Sequence, residues 1–185
     1  MSQNKPRIPL LERDEVSAEL QPLFDALLRD RGVVPNMFKT VAHTPALALG
    51  FAAFLKPLMG DGALPARYKE LVATLVAKRL ACEYCITAHT ISALQKGATR
   101  EQVDRLADYE SGPFSEAEKL GFRAADRLHE SPQGLDDALY AGLEEHYTRE
   151  QIIELTAVAS AFEFFPRFVS GLRIPVTPPP PGFAL

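Results

Sequence analysis

The chain has 185 residues, of which 46% are hydrophobic and 24% are charged, as in one globular domain with a substantial core. Its net charge of −4 leaves no basic surface of the kind that binds nucleic acid. No apolar run approaches the ~20 residues that span a bilayer. The N-terminal stretch MSQNKPRIPLLERDE lacks the features of a signal peptide. The sequence therefore favours a cytoplasmic protein, in which a permanent disulfide is uncommon.

Apolar residues at helical spacing predict the first elements in chain order. In SAELQPLFDALLRDRG they recur every three or four residues, and Gly32 follows as a stop. HTPALALGFAAFLKPLMGDG predicts a helix with Thr44 as its cap, Pro45 in its first turn and an end near Gly60. LPARYKELVATLVAKRL then places Pro65 at the start of another helix.

Capping boxes, in which Ser or Thr precedes Gln or Glu by three residues, mark three helix starts farther along the chain. They are Thr99–Gln102, Ser115–Glu118 and Thr148–Gln151. A short helix is predicted around residues 136–146. CEYCITAHTISALQKG is a further helical stretch, which Gly97 closes.

Strand signals are scarce, so the predicted fold class is all-α, with seven or eight helices. Residues 1–175 form one predicted domain, and residues 176–185 form a proline-rich tail that lies against a surface or a neighbouring subunit. A shift of 84 positions lays KELVATLVA (69–77) over IELTAVASA (153–161). This weak echo is either a structural repeat or a chance similarity of two Ala/Leu-rich helices. A true repeat predicts a bend near Cys82, because Cys82 falls on a proline.

The stretch ACEYCITAH contains both cysteines and one histidine on a single predicted helix face. Cys82 and Cys85 are spaced i, i+3, and Cys85 and His89 are spaced i, i+4. Side chains at these spacings have Cβ atoms roughly 5–6 Å apart, a separation that a disulfide bridges after small adjustments.

A helix break just before the first cysteine is predicted from length. An unbroken helix over residues 66–95 would extend about 45 Å, too long for a domain of this size. A break around residues 78–81 leaves Cys82 and Cys85 in a first helical turn, where free N–H groups and the helix dipole favour thiolates. The same bend brings Glu70 near the cysteines.

Three interpretations of this cluster stay open on the residues alone. In the first, Cys82 and Cys85 cycle through a disulfide while His89 and Glu70 move protons. In the second, Cys82, Cys85 and His89 are three ligands of a zinc ion that lacks an obvious fourth. In the third, the cysteines are small packing residues.

With Glu70 included, the pattern is E-x11-C-x2-C-x3-H, formed by Glu70, Cys82, Cys85 and His89. It resembles the AhpD-like alkylhydroperoxidase branch of the carboxymuconolactone decarboxylase superfamily. The segments VPNMFKTVAHTPALALGFAAF, GALPARYKELVATLVAKRLACEYCITAH and PRFVSGLRIPV resemble its peroxidase-related members. The resemblance covers residues 10–176.

The resemblance implies an AhpD-like helical bundle that assembles into trimers or hexamers. It implies a dithiol peroxidase that reduces hydroperoxides without metal, flavin or haem, and that a dithiol such as dihydrolipoamide or a thioredoxin-like protein reduces again. Cys82 and Cys85 match the redox pair, His89 the relay histidine and Glu70 the relay carboxylate. We expect Cys85 to attack and Cys82 to resolve. The chain departs from the family at Tyr84, where the well-known peroxidases have a histidine, so turnover is expected to be slower or to use another reductant.

Two other functions are compatible with the sequence. One is a redox-sensing or interaction protein whose dithiol responds to oxidants without turnover. The other is lyase chemistry of the carboxymuconolactone decarboxylase type, although the true decarboxylases generally lack the cysteine pair. A carboxylated lactone would need cationic anchors, and the candidates near the site are Arg67, Lys69, Lys78 and Arg79, which are otherwise expected on a solvated helix surface.

Overall fold

The computed structural model describes residues 5–183, which form nine α-helices and one 3₁₀ helix, with no strand among them. The predicted all-α fold class is confirmed. The first four residues of the N-terminal stretch and the last two of the predicted tail lie outside the described residues. The elements in chain order are α1 Gln21–Arg31, α2 Asn36–Val41, α3 Pro45–Met59, α4 Ala66–Arg79, α5 Glu83–Gln95, α6 Arg100–Arg105, the 3₁₀ helix Leu106–Ser111, α7 Glu116–Glu130, α8 Asp137–His146 and α9 Arg149–Gly171.

Helix α4 lies at the centre of the fold and packs against α5, α7 and α9. Apolar residues surround its axis instead of forming one stripe, which is the pattern of a helix buried on all sides. No helix of the described chain is both long and apolar enough to cross a bilayer. The core residues that α4 contributes are Ala66, Tyr68, Leu71, Val72, Ala73, Leu75, Val76 and Ala77.

The predicted helix boundaries are largely those of the structure. All three capping boxes form, with side-chain and backbone bonds in both directions at Thr99–Gln102, Ser115–Glu118 and Thr148–Gln151. Gly32 ends α1 in the left-handed conformation, with φ 70°. Thr44 precedes α3 as predicted, but its side chain makes no capping hydrogen bond.

The structure contains two short elements that the sequence did not predict, and its last helix contains a proline. Helix α2 and the 3₁₀ helix have six residues each, too few for a periodic pattern to reveal them. Helix α9 continues through Pro166 to Gly171, although proline removes one backbone donor. The neighbouring Phe162 and Phe165 are buried in the core, and their packing holds the helix together.

The chain after α9 lies against the body of the protein. We call residues 174–180 the strap, and the predicted boundary between domain and tail falls within it. The backbone N–H of Ile174 bonds Val169 O at 2.9 Å. The side-chain amide of Asn36 donates to the carbonyls of Pro175 and Val176 at 3.1 and 3.3 Å. These bonds fix the start of the strap beside α2.

Candidate dithiol site

The turn between α4 and α5 brings both cysteines to the start of α5. Ala81 has φ 50°, a left-handed conformation that costs an alanine about 1–2 kcal/mol. The N–H of Cys82 bonds Ala77 O at 3.0 Å and the N–H of Ala81 bonds Lys78 O at 3.1 Å, the two bonds of a Schellman motif. The break predicted around residues 78–81 is therefore present, and α5 runs back along α4.

The two sulfur atoms face each other at the first turn of α5. Cys82 is the N-cap residue, and its Sγ accepts a hydrogen bond from the backbone N–H of Cys85 at 3.4 Å. The Sγ atoms of Cys82 and Cys85 are 2.9 Å apart. Because a disulfide is ~2.05 Å long, the pair is a reduced dithiol. Ser170 Oγ of α9 lies 3.8 Å from Cys82 Sγ.

The two thiols differ in acidity. The S–H of Cys85 donates to Cys82, and this bond, the backbone N–H groups of Cys85 and Tyr84 and the Ser170 hydroxyl lower the pKa of Cys82 to about 6 against the effect of burial. The bond to Cys82 and burial raise the pKa of Cys85 well above that of a free thiol. At neutral pH the pair therefore shares one proton, and its negative charge rests on Cys82.

A buried carboxylate connects α4 with α5 next to the dithiol. Glu70 is 1% exposed. Its Oε2 lies 2.6 Å from His89 Nδ1, and its Oε1 lies 2.6 Å from Lys96 Nζ. Burial acts to raise the pKa of Glu70, but attraction and hydrogen bonds from His89 and Lys96 outweigh burial and hold this pKa below its ordinary value. Since Nδ1 of His89 is committed to Glu70, Nε2 is the ring nitrogen left for chemistry.

The four residues that the sequence singled out form two neighbouring pairs. Cys82 meets Cys85, and Glu70 meets His89. Among the hydrogen bonds of residues 5–183, none joins a sulfur atom to Glu70 or His89. The nearest proton acceptor for Cys85 is thus the Cys82 sulfur, whereas the sequence had suggested His89.

Lys96 is a site residue that the sequence pattern did not single out. Its Nζ donates to Glu70 and also to Met59 O at 2.9 Å. Lys96 follows His89 by seven residues, a spacing that returns to the same helix face. That spacing places Lys96 on the same side of α5 as His89, but it does not identify Glu70 as the partner.

An apolar cavity of about 100 Å³ lies beside the dithiol. Cys85 and His89 border it, and the ring of His89 stands edge-on to Phe162 with ring centroids 4.4 Å apart. Cys82 instead borders an open groove at the surface, together with Ser170 and Arg173. The two sulfurs thus adjoin different spaces. The cavity's other apolar lining includes Met37, Phe38, Leu55, Met59, Ile91, Phe165 and Val169.

The zinc interpretation finds no geometric support in residues 5–183, where no group of three or more His, Cys, Asp and Glu side chains could hold a metal ion. His89 Nδ1 is bonded to Glu70, and the described side chains offer no further ligand that would complete such a site.

The four cationic residues considered as anchors for a lactone are engaged elsewhere. Lys69, expected at the surface, is 1% exposed and pairs with a partly exposed carboxylate. None of the four has a contact with the dithiol among the described hydrogen bonds, so the lyase reaction gains no support from them. Their partners are Glu118 for Arg67, Glu154 for Lys69, the Val103 carbonyl for Lys78 and Asp126 for Arg79.

Comparison with protein families and curated proteins gives partial matches. Residues 45–127, which include α3, α4, α5 and most of α7, match the carboxymuconolactone decarboxylase family. The uncharacterized protein YnjA of Escherichia coli is 28% identical over 108 residues, which are 58% of this chain and 59% of YnjA. The aligned part of the chain spans about half to three fifths of the curated relatives it matches.

Solved structures match nearly the whole chain. An uncharacterized peroxidase-related protein with an alkylhydroperoxidase AhpD core, from Ralstonia eutropha, has a TM-score of 0.86 at 21% identity and covers 95% of this chain and 94% of its own. The debrominase Bmp8, in a complex with 2,3,4-tribromopyrrole, has a TM-score of 0.82 at 23% identity and covers 96% and 94%. At these identities the likeness establishes the fold. The family match over residues 45–127 agrees with the predicted superfamily.

Proposed function

We propose that this protein, whose residues 45–127 belong to the carboxymuconolactone decarboxylase family and whose fold is AhpD-like, is a dithiol peroxidase. It would reduce hydroperoxides through a reversible Cys82–Cys85 disulfide. The observation that carries the proposal is the pair of free sulfurs 2.9 Å apart at a helix start, with the pKa of Cys82 lowered to about 6. A thiolate reduces peroxide, and a neighbouring thiol closes the resulting sulfenic acid to a disulfide.

The attack is assigned to Cys85 because its sulfur borders the apolar cavity. Because the negative charge of the resting pair is on Cys82, the Cys82 thiolate acts as the base and takes the proton of Cys85 as Cys85 attacks the terminal oxygen of the hydroperoxide. The O–O bond breaks, and protonated His89 gives a proton to the departing alkoxide, which leaves as an alcohol. The Cys82 sulfur then attacks the sulfenic acid on Cys85, water leaves, and the disulfide closes.

Glu70 and Lys96 prepare His89 for this step. The Glu70 carboxylate holds Nδ1 of His89, so that Nε2 is directed to the reaction and the charged imidazole is stabilised. Lys96 keeps the buried Glu70 ionised. We therefore place Glu70 as the relay carboxylate of the site and Lys96 as its support.

The electrons come from an external dithiol, for which dihydrolipoamide or a thioredoxin-like protein is proposed. Its thiolate attacks the disulfide, and exchange restores both cysteines while the donor becomes oxidised. We propose the cytoplasm as the compartment, because its thiol pools keep such pairs reduced.

A homo-oligomer, a trimer or a hexamer, is part of the proposal. Large apolar side chains are exposed on two neighbouring helices, Leu47, Leu49 and Phe54 on α3 and Ile153 and Phe164 on α9. Phe54 and Phe164 are about half exposed, at 50% and 51%. Burying such rings between subunits is favourable.

Steady-state peroxide consumption with dihydrolipoamide as donor tests the peroxidase proposal. Sustained turnover that stops when Cys85 is replaced by serine is the expected result. Reduction of one equivalent of peroxide per dithiol, with no further consumption in the presence of donor, would instead identify a redox sensor. No oxidation of the dithiol at all would contradict both functions.

A second candidate is reductive dehalogenation of a small halogenated aromatic. Its support is the structural likeness to the debrominase Bmp8, together with the apolar character of the cavity beside Cys85, which would have to widen to admit such a ring. In this reaction, two thiols and an aryl bromide would yield a disulfide, the arene with hydrogen in place of bromine, and hydrogen bromide. Bromide release from 2,3,4-tribromopyrrole, measured beside peroxide consumption, separates the two candidates.

A further inference from the structure

Tyr84 lies between the two cysteines in sequence, and its hydroxyl joins three parts of the fold. The oxygen accepts a hydrogen bond from the backbone N–H of Met37 in α2 at 3.0 Å. It accepts a second from Thr177 Oγ1 of the strap at 3.1 Å. Tyr84 is 9% exposed, and burial raises its pKa. Its hydroxyl is therefore a neutral tie between α5, α2 and the strap.

Thr177 extends this tie to α2. Its Oγ1 accepts a hydrogen bond from the backbone N–H of Asn36 at 2.9 Å while donating to Tyr84. The Asn36 side chain, 7% exposed, holds the carbonyls of Pro175 and Val176. One threonine hydroxyl and one tyrosine hydroxyl thus link the middle of the strap to the turn that carries the dithiol.

The strap forms one wall of the cavity beside Cys85. Thr177, Pro178 and Pro180 line that cavity together with Cys85 and His89. The proline rings restrict the backbone of the strap, so few other paths are open to it while it remains attached. A side chain on Gly32 would lie 3.0 Å from Pro180 Cβ, which shows how closely the far end of the strap approaches α1.

We propose that Tyr84 latches the strap over the dithiol cavity and thereby restricts the site to small hydroperoxides. The substrate part of this inference rests on the proposed peroxidase function. With the strap in place, the partly open cavity measures about 100 Å³, which is less than the roughly 150 Å³ of an engineered apolar cavity that binds benzene. Hydrogen peroxide and short alkyl hydroperoxides fit with the strap in place. An aromatic hydroperoxide reaches Cys85 only after the Tyr84–Thr177 bond has opened.

Alkylation of the reduced full-length protein tests the latch without using peroxide. Rates at Cys85 are compared for iodoacetamide and for the bulky fluorescein maleimide, with the modified cysteine identified by fragment mass. Tyr84→Phe and Thr177→Val each remove the latch bond and keep the side-chain shape. Tyr140→Phe, on the exposed surface of α8, is the matched control.

The ratio of the bulky rate to the small rate should rise about tenfold in both latch variants, the factor expected for loss of a buried hydrogen bond, and should stay unchanged in Tyr140→Phe. Equal ratios in wild type and in Thr177→Val would overturn the proposal, and Thr177→Val decides the question if Tyr84→Phe does not fold. A general loosening of the structure would lower the melting temperature and raise both rates together, leaving the ratio unchanged.

Peroxide kinetics then separate failure of the latch from failure of the peroxidase. In the latch variants, kcat/KM for cumene hydroperoxide should rise about tenfold relative to kcat/KM for hydrogen peroxide. The rise should come from a lower KM for cumene hydroperoxide, with kcat unchanged. A shifted alkylation ratio in a protein without peroxide turnover would leave the latch standing and refute the peroxidase. Peroxide turnover in latch variants whose alkylation ratio and peroxide selectivity are both unchanged would refute the latch and leave the peroxidase standing.

Discussion

The two segments that echo each other in the sequence, residues 69–77 in α4 and residues 153–161 in α9, place their glutamates in different roles. Both carboxylates pair with a lysine: Glu70 with Lys96, and Glu154 with Lys69 at 2.7 Å. Glu154 also accepts hydrogen bonds from backbone N–H groups of the loop before α4. The second partner of Glu70 is instead the His89 ring. The carboxylate thus supports a loop in one segment, where it is partly exposed, and a reactive side chain in the other, where it is buried.

The two helices also end alike and lead to different structures. Helix α9, like α4, ends in a Schellman motif with a left-handed residue that is not glycine, Arg173 at φ 53°. Ala81 is the equivalent residue after α4. After α4 the chain enters a new helix and places two cysteines in its first turn; after α9 it becomes the strap. The comparison shows that the function of each end depends on the residues that follow the turn.

Of all the changes considered, replacing Cys85, whose sulfur borders the cavity, should have the largest effect on peroxide consumption. Cys85→Ser should lower peroxide consumption at least about a thousandfold, because the nucleophile is lost. Cys82→Ser should still react with one equivalent of peroxide and then stop, since the sulfenic acid cannot be resolved. Stopped-flow measurement of peroxide consumption distinguishes the two, and a Cys85→Ser protein with the wild-type rate would end the assignment of attack to Cys85.

Replacing the two glutamates separates chemistry from support. Glu70→Gln should lower kcat about a hundredfold, because His89 loses the carboxylate that orients and stabilises it. Glu154→Gln should keep kcat within about twofold but lower the free energy of unfolding by about 3 kcal/mol, because it leaves Lys69 buried and without its anion. Urea unfolding and steady-state kinetics on both variants check this. Equal losses of kcat in Glu70→Gln and Glu154→Gln would contradict the assignment of chemistry to Glu70 and of structural support to Glu154.

The sequence predicted those features that depend on nearby residues. Caps, stops and the break before Cys82 follow from short patterns and chain length. The partners of Glu70 do not, because the choice of Lys96 depends on how α5 lies against α4. The path of the strap is equally hidden, since its bonds join Thr177 to Asn36 and Tyr84 across more than ninety residues. Long-range packing, which no local pattern encodes, determines both.

The acidity of Cys82 gives a smaller effect that can be followed with pH. Because hydrogen bonds lower its pKa to about 6, its thiolate is present at neutral pH and is lost as pH falls below about 6. Alkylation of Cys82 by iodoacetamide should show its midpoint near that pH. Cys85→Ala removes the largest cause and should move the midpoint upward toward the free-thiol pKa of about 8.5. Identical midpoints in both proteins would show that the sulfur–sulfur bond does not set this acidity.

The smallest effect concerns the Schellman turns that end α4 and α9. Ala81→Gly relieves a left-handed alanine, which costs about 1–2 kcal/mol, and adds about 0.5–1 kcal/mol of unfolded-state entropy. A net gain of about 0.5 kcal/mol in the free energy of unfolding is therefore expected, and the same holds for Arg173→Gly. Ala77→Gly, inside α4, should instead lose about 1 kcal/mol. Urea denaturation of the three variants measures these differences, and a loss of stability in Ala81→Gly would contradict the strained turn.

Mass spectrometry of the peroxide-treated protein tests the central claim most directly. A peptide spanning residues 80–95 that has lost two hydrogens, and regains them with a dithiol reductant, is the result that a reversible Cys82–Cys85 disulfide predicts. Cysteines that stay fully reduced, or that accumulate sulfinic acid with no bond between the two sulfurs, would contradict it.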